Sequence, residues 1–196
     1  MSVVDTIDQI SSWCQQSICS KIKFKKPDND EMGGQYEYEL IHPVAFPMYV
    51  PAMDKLPPNV VSNMPSICVQ LMEGQDDLSD NTREMKINLG FSVWNPGIHS
   101  KDVYYPTGTR PEETPDFRKG VDGWMDVWNF VDVALRELRN IESINAIKIL
   151  HRDNIRFGPY KIKEDVADNY PLWLAYIQLT VEKPLIKIGK NYEEYL

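Results

Sequence analysis

The sequence predicts an α+β fold in which a mostly antiparallel β-sheet packs against an N-terminal helix and a central amphipathic helix. Residues 83–94 and 172–182 alternate apolar with polar side chains, which is the pattern of strands that bury one face. Gly123–Arg139 instead repeats apolar side chains at positions i, i+3, i+4 and i+7, as an amphipathic helix does. Two strands and the helix between them therefore define the centre of the expected fold.

The N-terminal helix is predicted over residues 2–20. Ser2 and Asp5 have the spacing of a capping pair, in which each side chain satisfies a backbone N–H group of the first turn. One stripe of this helix carries its apolar residues, namely Val3, Ile7, Ile10, Cys14 and Ile18.

Shorter strands are expected between and after these elements, at residues 21–26, 36–42, 66–72, 147–151 and 155–163. Residues 21–26 are rich in lysine, but their alternation favours a strand over a basic arm. Residues 73–81 are predicted to form an acidic turn.

Two long loops and a tail complete the expected organisation. Residues 43–65 contain six prolines, which cannot donate to a strand ladder, so an extended connection is predicted there. Residues 98–121 show no periodicity and form the second loop, and residues 185–196 form a C-terminal tail. No repeat or boundary divides the chain, so residues 1–196 are predicted to form a single domain.

The central helix has more apolar surface than one buried face requires. Its predicted core stripe consists of Trp124, Val127, Trp128, Val131, Leu135 and Leu138. Phe130 and Val133 lie off that stripe, and Leu174 and Tyr176 make the second face of the last long strand apolar as well. These four residues are therefore candidates for a contact with a partner.

Composition narrows the function classes. The formal net charge is -8, which disfavours binding to nucleic acid or to an anionic membrane surface. No apolar run approaches the ~20 residues that span a bilayer, and the first residues are acidic where a signal peptide is basic. Three cysteines without a framework spacing predict reduced thiols. A soluble intracellular product is expected.

The sequence predicts no catalytic, cofactor-binding or metal-binding residues. His42, His99 and His151 have no second ligand at close spacing, so a zinc site assembled from distant segments is the less favoured alternative. Acidic residues 73–80 do not follow the order of an EF-hand loop. The chain also lacks a phosphate-binding glycine loop and a nucleophile elbow.

Three stretches carry a resemblance to a known family. They are SICVQLMEGQDDLSDNTREMKINLGFSVWNPGIHSKDVYYP, DGWMDVWNFVDVALRELRN and IRFGPYKIKEDVADNYPLWLAYIQLTVEKP, which together cover most of residues 66–184. The chain resembles the tail-terminator, or tail-completion, proteins of Gram-positive tailed phages and phage-derived tail particles. Residues 1–65 match that family only in outline.

The resemblance implies a structural protein of the virion tail, assembled in the cytoplasm of the bacterial host. Six α+β subunits would form a homohexameric ring that caps the tail tube, stops its polymerisation and offers a joining surface to the neck or connector. The implied partners are other copies of the chain, the tube protein, the neck protein and, in a contractile tail, the sheath protein.

Three alternatives stay open, namely a head–tail connector or neck protein, a metal-assisted hydrolase that uses the histidines, and a small binding module or assembly chaperone. A ring subunit needs two different side surfaces, because heterologous contacts close a cycle. The candidate interface residues are Tyr104, Tyr105, Phe130, Val133, Leu174 and Tyr176.

Overall fold

The computed structural model describes residues 2–27, 38–96, 123–151, 154–167 and 169–185. Two α-helices, α1 (Val3–Ser17) and α2 (Gly123–Arg139), pack against one large sheet in this part of the chain. The strands are β1 (Phe24–Lys25), β2 (Leu40–Ile41), β3 (Val44–Pro47), β4 (Ser66–Asp77), β5 (Thr82–Trp94), β6 (Ser143–Ile144), β7 (Ile147–Ile149), β8 (Arg156–Pro159), β9 (Lys161–Ile162), β10 (Asp165–Val166) and β11 (Leu172–Pro184). The α+β prediction is confirmed.

The large sheet has the strand order β3-β4-β5-β11-β7-β6, and β8 pairs with β11 on the same side as β7. Only the β3–β4 pair among its described pairs is parallel, and the others are antiparallel. Two small antiparallel pairs, β1–β2 and β9–β10, lie outside it.

The β5–β11 pair forms the centre of the sheet. The two strands are in register from Trp94, which pairs with Leu172, to Thr82, which pairs with Pro184. Because side chains alternate along a strand, the apolar residues of both strands share one face. The buried members of that face are Met85, Ile87, Leu89, Phe91, Val93, Ala175, Ile177, Leu179 and Val181.

Helix α1 begins as its sequence predicts. The Ser2 backbone N–H donates to the Asp5 carboxylate at 2.6 Å, and the Asp5 N–H donates to the Ser2 hydroxyl at 3.1 Å. Ile7, Ile10 and Cys14 are buried against the sheet, and Ile18 continues their stripe beyond the helix end.

Helix α2 has the predicted bounds, but its buried stripe is rotated from the predicted one. Val127, Val131, Leu135 and Leu138 are buried as expected. Phe130 is also fully buried, with ring centroids 5.0 Å from those of Phe24 and Phe91. The other corrections are that Trp124 is 47% exposed, Trp128 is only partly buried and Ala134 is buried. A helical wheel shows which apolar residues lie on the same side of a helix. It does not show which of them the sheet covers.

The β4–β5 hairpin corrects the predicted turn at residues 73–81. Its strands continue to Asp77 and restart at Thr82, so only residues 78–81 turn. The outer half is stabilised by ion pairs, one joining Lys86 to Glu73 at 2.7 Å and one joining Arg83 to Asp76. The Asp77 carboxylate accepts the Ser79 N–H at 2.8 Å and shapes the turn.

The proline-rich residues 43–65 are not all connection, because β3 lies within them. Proline is tolerated in β3 since this strand forms an edge of the sheet. The predicted loop at residues 98–121 lies outside the described residues, as does the predicted tail apart from Leu185.

Candidate interaction surface

The face of the sheet opposite the helices carries a different set of side chains. On β5 this face presents Asn88, Gly90 and Ser92, and on β11 it presents Leu174, Tyr176 and Gln178. We call it the open face, because α1 and α2 bury the other one.

Polar cross-strand pairs stabilise parts of the open face. The Ser66 and Ser92 hydroxyls form a buried hydrogen bond of 2.7 Å between β4 and β5. The Asn88 amide donates to the Gln70 side chain at 3.0 Å on the same pair of strands. These polar side chains already form hydrogen bonds within the chain. The apolar side chains of the open face are therefore the better candidates for contact with a partner.

Tyr176 lies across Gly158 of the neighbouring strand β8. A Cβ atom at Gly158 would stand 3.3 Å from the Tyr176 ring and hydroxyl, which is closer than ordinary packing. The absence of a side chain at Gly158 therefore allows the close approach of the Tyr176 ring. Tyr176 is half-buried in this position.

A shallow apolar depression of about 320 Å³, the groove, crosses the open face beside Tyr176. Its lining comes from β4, β5, β11, the segment after β3 and the residue that follows β8. It includes Tyr49, Val50, Met64, Cys68, Tyr160 and Leu174. Tyr49 is 70% exposed at its rim. A more polar cleft of about 590 Å³ lies farther along the sheet, beside the Lys86–Glu73 ion pair.

Residues 154–167, the arm, extend the apolar surface beyond the sheet edge. They contain β8 and the β9–β10 hairpin, which is also joined by the hydrogen bond from the Ala167 N–H to the Tyr160 carbonyl at 2.9 Å. Four large apolar side chains of the arm are about half exposed or more, namely Phe157, Tyr160, Ile162 and Val166. Of these four, Tyr160 also lines the groove. Phe157 pairs with the core residue Ile177 of β11 and therefore faces the helix side of the sheet.

A cluster of polar side chains joins the two segments that flank residues 97–122. The Asn95 side chain accepts from the Lys25 ammonium at 2.7 Å and donates to the Asp126 carboxylate at 2.6 Å. Its carbonyl accepts the Trp173 indole N–H at 2.9 Å. Burial lowers the pKa of Lys25, and the negative charge of Asp126 partly offsets that effect. The cluster thus joins β1, β5, α2 and β11.

The predicted interface residues have different fates. Leu174 lines the groove and Tyr176 lies beside it on the open face. The prediction for Phe130 is wrong, because its ring is fully buried between Phe24 and Phe91 and is inaccessible to a partner. Val133 is partly buried and packs against the core, while Tyr104 and Tyr105 lie outside the described residues.

Sequence reasoning did not single out the groove or the arm as a surface. Residues 155–163 were expected to be strand-like, but periodicity does not show which apolar residues lack a covering element. The available signal was the density of Phe157, Tyr160, Ile162 and Val166 in a segment that glycine and proline break into strands too short to bury them.

The two histidines in the described ranges form hydrogen bonds that stabilise the fold. His42 donates from Nδ1 toward the carbonyls of Cys19 and Ile22, at 3.0 and 2.9 Å, and His151 donates from Nε2 to the Ile141 carbonyl at 3.0 Å. These nitrogens carry the proton, since carbonyl oxygens only accept. His99 lies outside the described residues. Within the described ranges, no three histidine, cysteine or acidic side chains are grouped to hold a metal ion.

The three thiols are free and buried. Burial raises the pKa of Cys68 to about 11 and that of Cys19 to about 12. Burial also raises the pKa of Cys14 well above its ordinary value. Because the thiolate is the reactive form, these cysteines behave as small core residues at neutral pH.

Comparison with protein-family models and with curated protein sequences gives no match to this chain. In the described ranges, neither helix has the length and apolar character needed to cross a membrane.

Proposed function

We propose that the protein is a structural component of a phage-type tail, a terminator that forms a ring on the end of the tail tube. The ring stops tube polymerisation and offers a joining surface to the neck or connector, and to the sheath in a contractile tail. The proposal assigns no catalysis or cofactor. It places the protein in the virion tail after assembly in the cytoplasm of the bacterial host.

The observation that carries the proposal is the exposed apolar surface formed by the groove and by Tyr160 of the arm, which lines it. Exposed apolar patches on folded proteins mark sites of association, and tyrosine and methionine are enriched at such sites. Tyr49, Met64 and Tyr160, which line the groove, are of these two types. The sequence resemblance supplies the tail context, and the surface supplies the means of association.

The shape of the arm supports a role in joining subunits. Its β9–β10 hairpin has two residues in each strand, and so small a hairpin is marginal in water without packing. Ile162 and Val166 are nevertheless more than half exposed. They lie on opposite sides of the hairpin, since Ile162 pairs with Asp165 and Val166 pairs with Lys161. We assign each of them to a contact with a neighbouring subunit or with the tube, because association would bury it.

The residues outside the described ranges enter on sequence grounds alone. Tyr104 and Tyr105 remain candidates for a contact with a neighbouring subunit or the tube. Deletion of residues 102–118 is expected to leave a folded protein that no longer assembles. Unchanged ring formation and normal tail lengths after this deletion would contradict that part of the proposal.

The proposal is tested by electron microscopy of tails made with and without this protein. Tubes that grow beyond their normal length in its absence are expected of a terminator. Normal tubes that lack heads would instead identify a connector or neck protein. Mass measurement of the protein alone and with tube subunits should show a ring, and a subunit that stays monomeric beside tubes would overturn the proposal.

A matched pair of variants tests the surface itself. Ile162→Asp places a charge on the arm, and Leu78→Asp places one on the β4–β5 turn, where the leucine is 84% exposed. Both are expected to fold, since each side chain faces solvent. Ile162→Asp should abolish tail-length control while Leu78→Asp preserves it. Equal behaviour of the two variants would show that the arm is not the contact.

A further inference from the structure

Among the described strands, β3 lies at one edge of the large sheet, and an edge strand needs protection from unwanted pairing. Its even-numbered residues bond inward to β4. The Val44 N–H donates to the Pro65 carbonyl at 3.1 Å, and the Met48 N–H donates to the Val69 carbonyl at 2.8 Å. The backbone groups of Pro43, Ala45 and Pro47 consequently point away from the sheet.

The side chain of Gln15, on helix α1, occupies the outer side of this edge. Its Oε1 atom accepts the Ala45 N–H at 2.9 Å, and its Nε2 atom donates to the Pro43 carbonyl at 3.3 Å. These are the two groups that one residue of an added parallel strand would bond. The carboxamide thus imitates one residue of a further strand.

The rest of the edge is closed by other means. Pro47 has no N–H to offer, and its carbonyl accepts the Tyr49 N–H at 2.8 Å. Among the outward groups of residues 43–47, the Ala45 carbonyl accepts no hydrogen bond from the described part of the chain. With Gln15 in place, no N–H and carbonyl of the same residue are both available for pairing.

We propose that Gln15 closes the β3 edge against strand addition, and that the partner it excludes is the β3 strand of a second copy of this chain. Without the glutamine, Ala45 regains a free N–H beside its carbonyl. Two Ala45 residues from two copies then exchange both hydrogen bonds as an antiparallel pair. The closed edge restricts association to other surfaces, as an assembly of defined size requires.

The choice of a second copy follows from the symmetry of this contact. An antiparallel Ala45–Ala45 pair is self-complementary, so one surface serves both partners. Every copy carries the same edge, and many copies are brought close together wherever the chain assembles. The inference goes beyond the proposed function and holds whether or not the subunits form a terminator ring.

The test compares Gln15→Ala with Gln16→Ala. Both glutamines are exposed on α1, and alanine favours a helix at either position, so the two variants differ in the edge contact. Hydrogen exchange at the Ala45 amide should accelerate by about tenfold in Gln15→Ala, as expected for loss of one hydrogen bond. Gln16→Ala should exchange like the wild type.

Sedimentation over a wide concentration range then tests strand addition. Gln15→Ala should form species larger than the largest wild-type species, and adding Pro47→Ala should increase them because it restores an outward N–H. Faster exchange without larger species would overturn the proposal, since the bond would then be merely structural. Unchanged exchange in Gln15→Ala would overturn it as well. Tail-length control is a separate measurement, so its failure is distinguishable from either result.

Discussion

Replacing Phe130 by alanine removes a fully buried ring from the centre of the core. Burial of such a ring contributes about 1.5–3 kcal/mol to folding. Its contacts with Phe24 and Phe91, each at 5.0 Å between centroids, add about 0.5–1.5 kcal/mol apiece. Phe130→Ala is therefore expected to lower the free energy of unfolding by about 3–5 kcal/mol, the range found for large-to-small core substitutions.

The measurement is equilibrium unfolding in urea, followed by tryptophan fluorescence and far-ultraviolet circular dichroism. It is made at two protein concentrations, because subunit association makes apparent stability depend on concentration. Phe157→Ala is the matched control, since it removes the same side chain from a position that is 52% exposed. The control should change the free energy of unfolding by less than about 1 kcal/mol.

The comparison decides between two roles for Phe130. A loss of less than about 1 kcal/mol in Phe130→Ala, together with impaired assembly, would refute the core assignment and restore the residue to a subunit contact. A large loss in Phe130→Ala with assembly defects confined to Phe157→Ala would place one aromatic residue in the core and the other at the interface.

Three other predictions concern residues that position or line the open face and its hairpin. Gly123→Ala should destabilise the protein by about 1–3 kcal/mol in urea unfolding, because the new Cβ would stand 2.6 Å from the Asn95 carbonyl that the Trp173 indole binds. The Cys68 thiol should react with a disulfide reagent at pH 8 far more slowly in the native protein than in urea, since burial raises its pKa; equal rates would contradict its burial. The Arg83 guanidinium lowers the pKa of Asp76, so this pair contributes stability above about pH 4 that is lost as pH falls through the carboxyl's folded pKa. Asp76→Asn should accordingly reduce the acid sensitivity of unfolding, and an unchanged pH profile would contradict the ion pair.

Local sequence patterns predicted an element well where its structure depends on residues that are close together in the chain. The period of two in residues 83–94 and 172–182 matches β5 and β11. The observed strands differ from the predicted ones by one residue at the start of β5 and two residues at the end of β11. The capping pair at Ser2 and Asp5 is also present, because both partners lie within one helical turn. Such features depend on near neighbours in the chain.

Features that depend on distant segments were harder to predict. The acidic residues 73–81 were expected to form a turn, yet most of them are strand, since Lys86 and Arg83 pair with their carboxylates across the hairpin. The prolines in residues 43–47 argued against a strand, so β3 was not predicted. The pairing with β4 on one side and the hydrogen bonds to Gln15 on the other come from segments distant in sequence.

The fold class, the bounds of α2 and the alternation of the two longest strands follow from local sequence patterns. These patterns also indicated more apolar surface than one core requires. Which apolar residues form that excess depends on tertiary packing, which buries Phe130 and leaves Ile162 and Val166 exposed. The periodicity of a helix or strand sets the direction in which each side chain points. Whether that side chain is buried depends on which element, distant in sequence, packs against it.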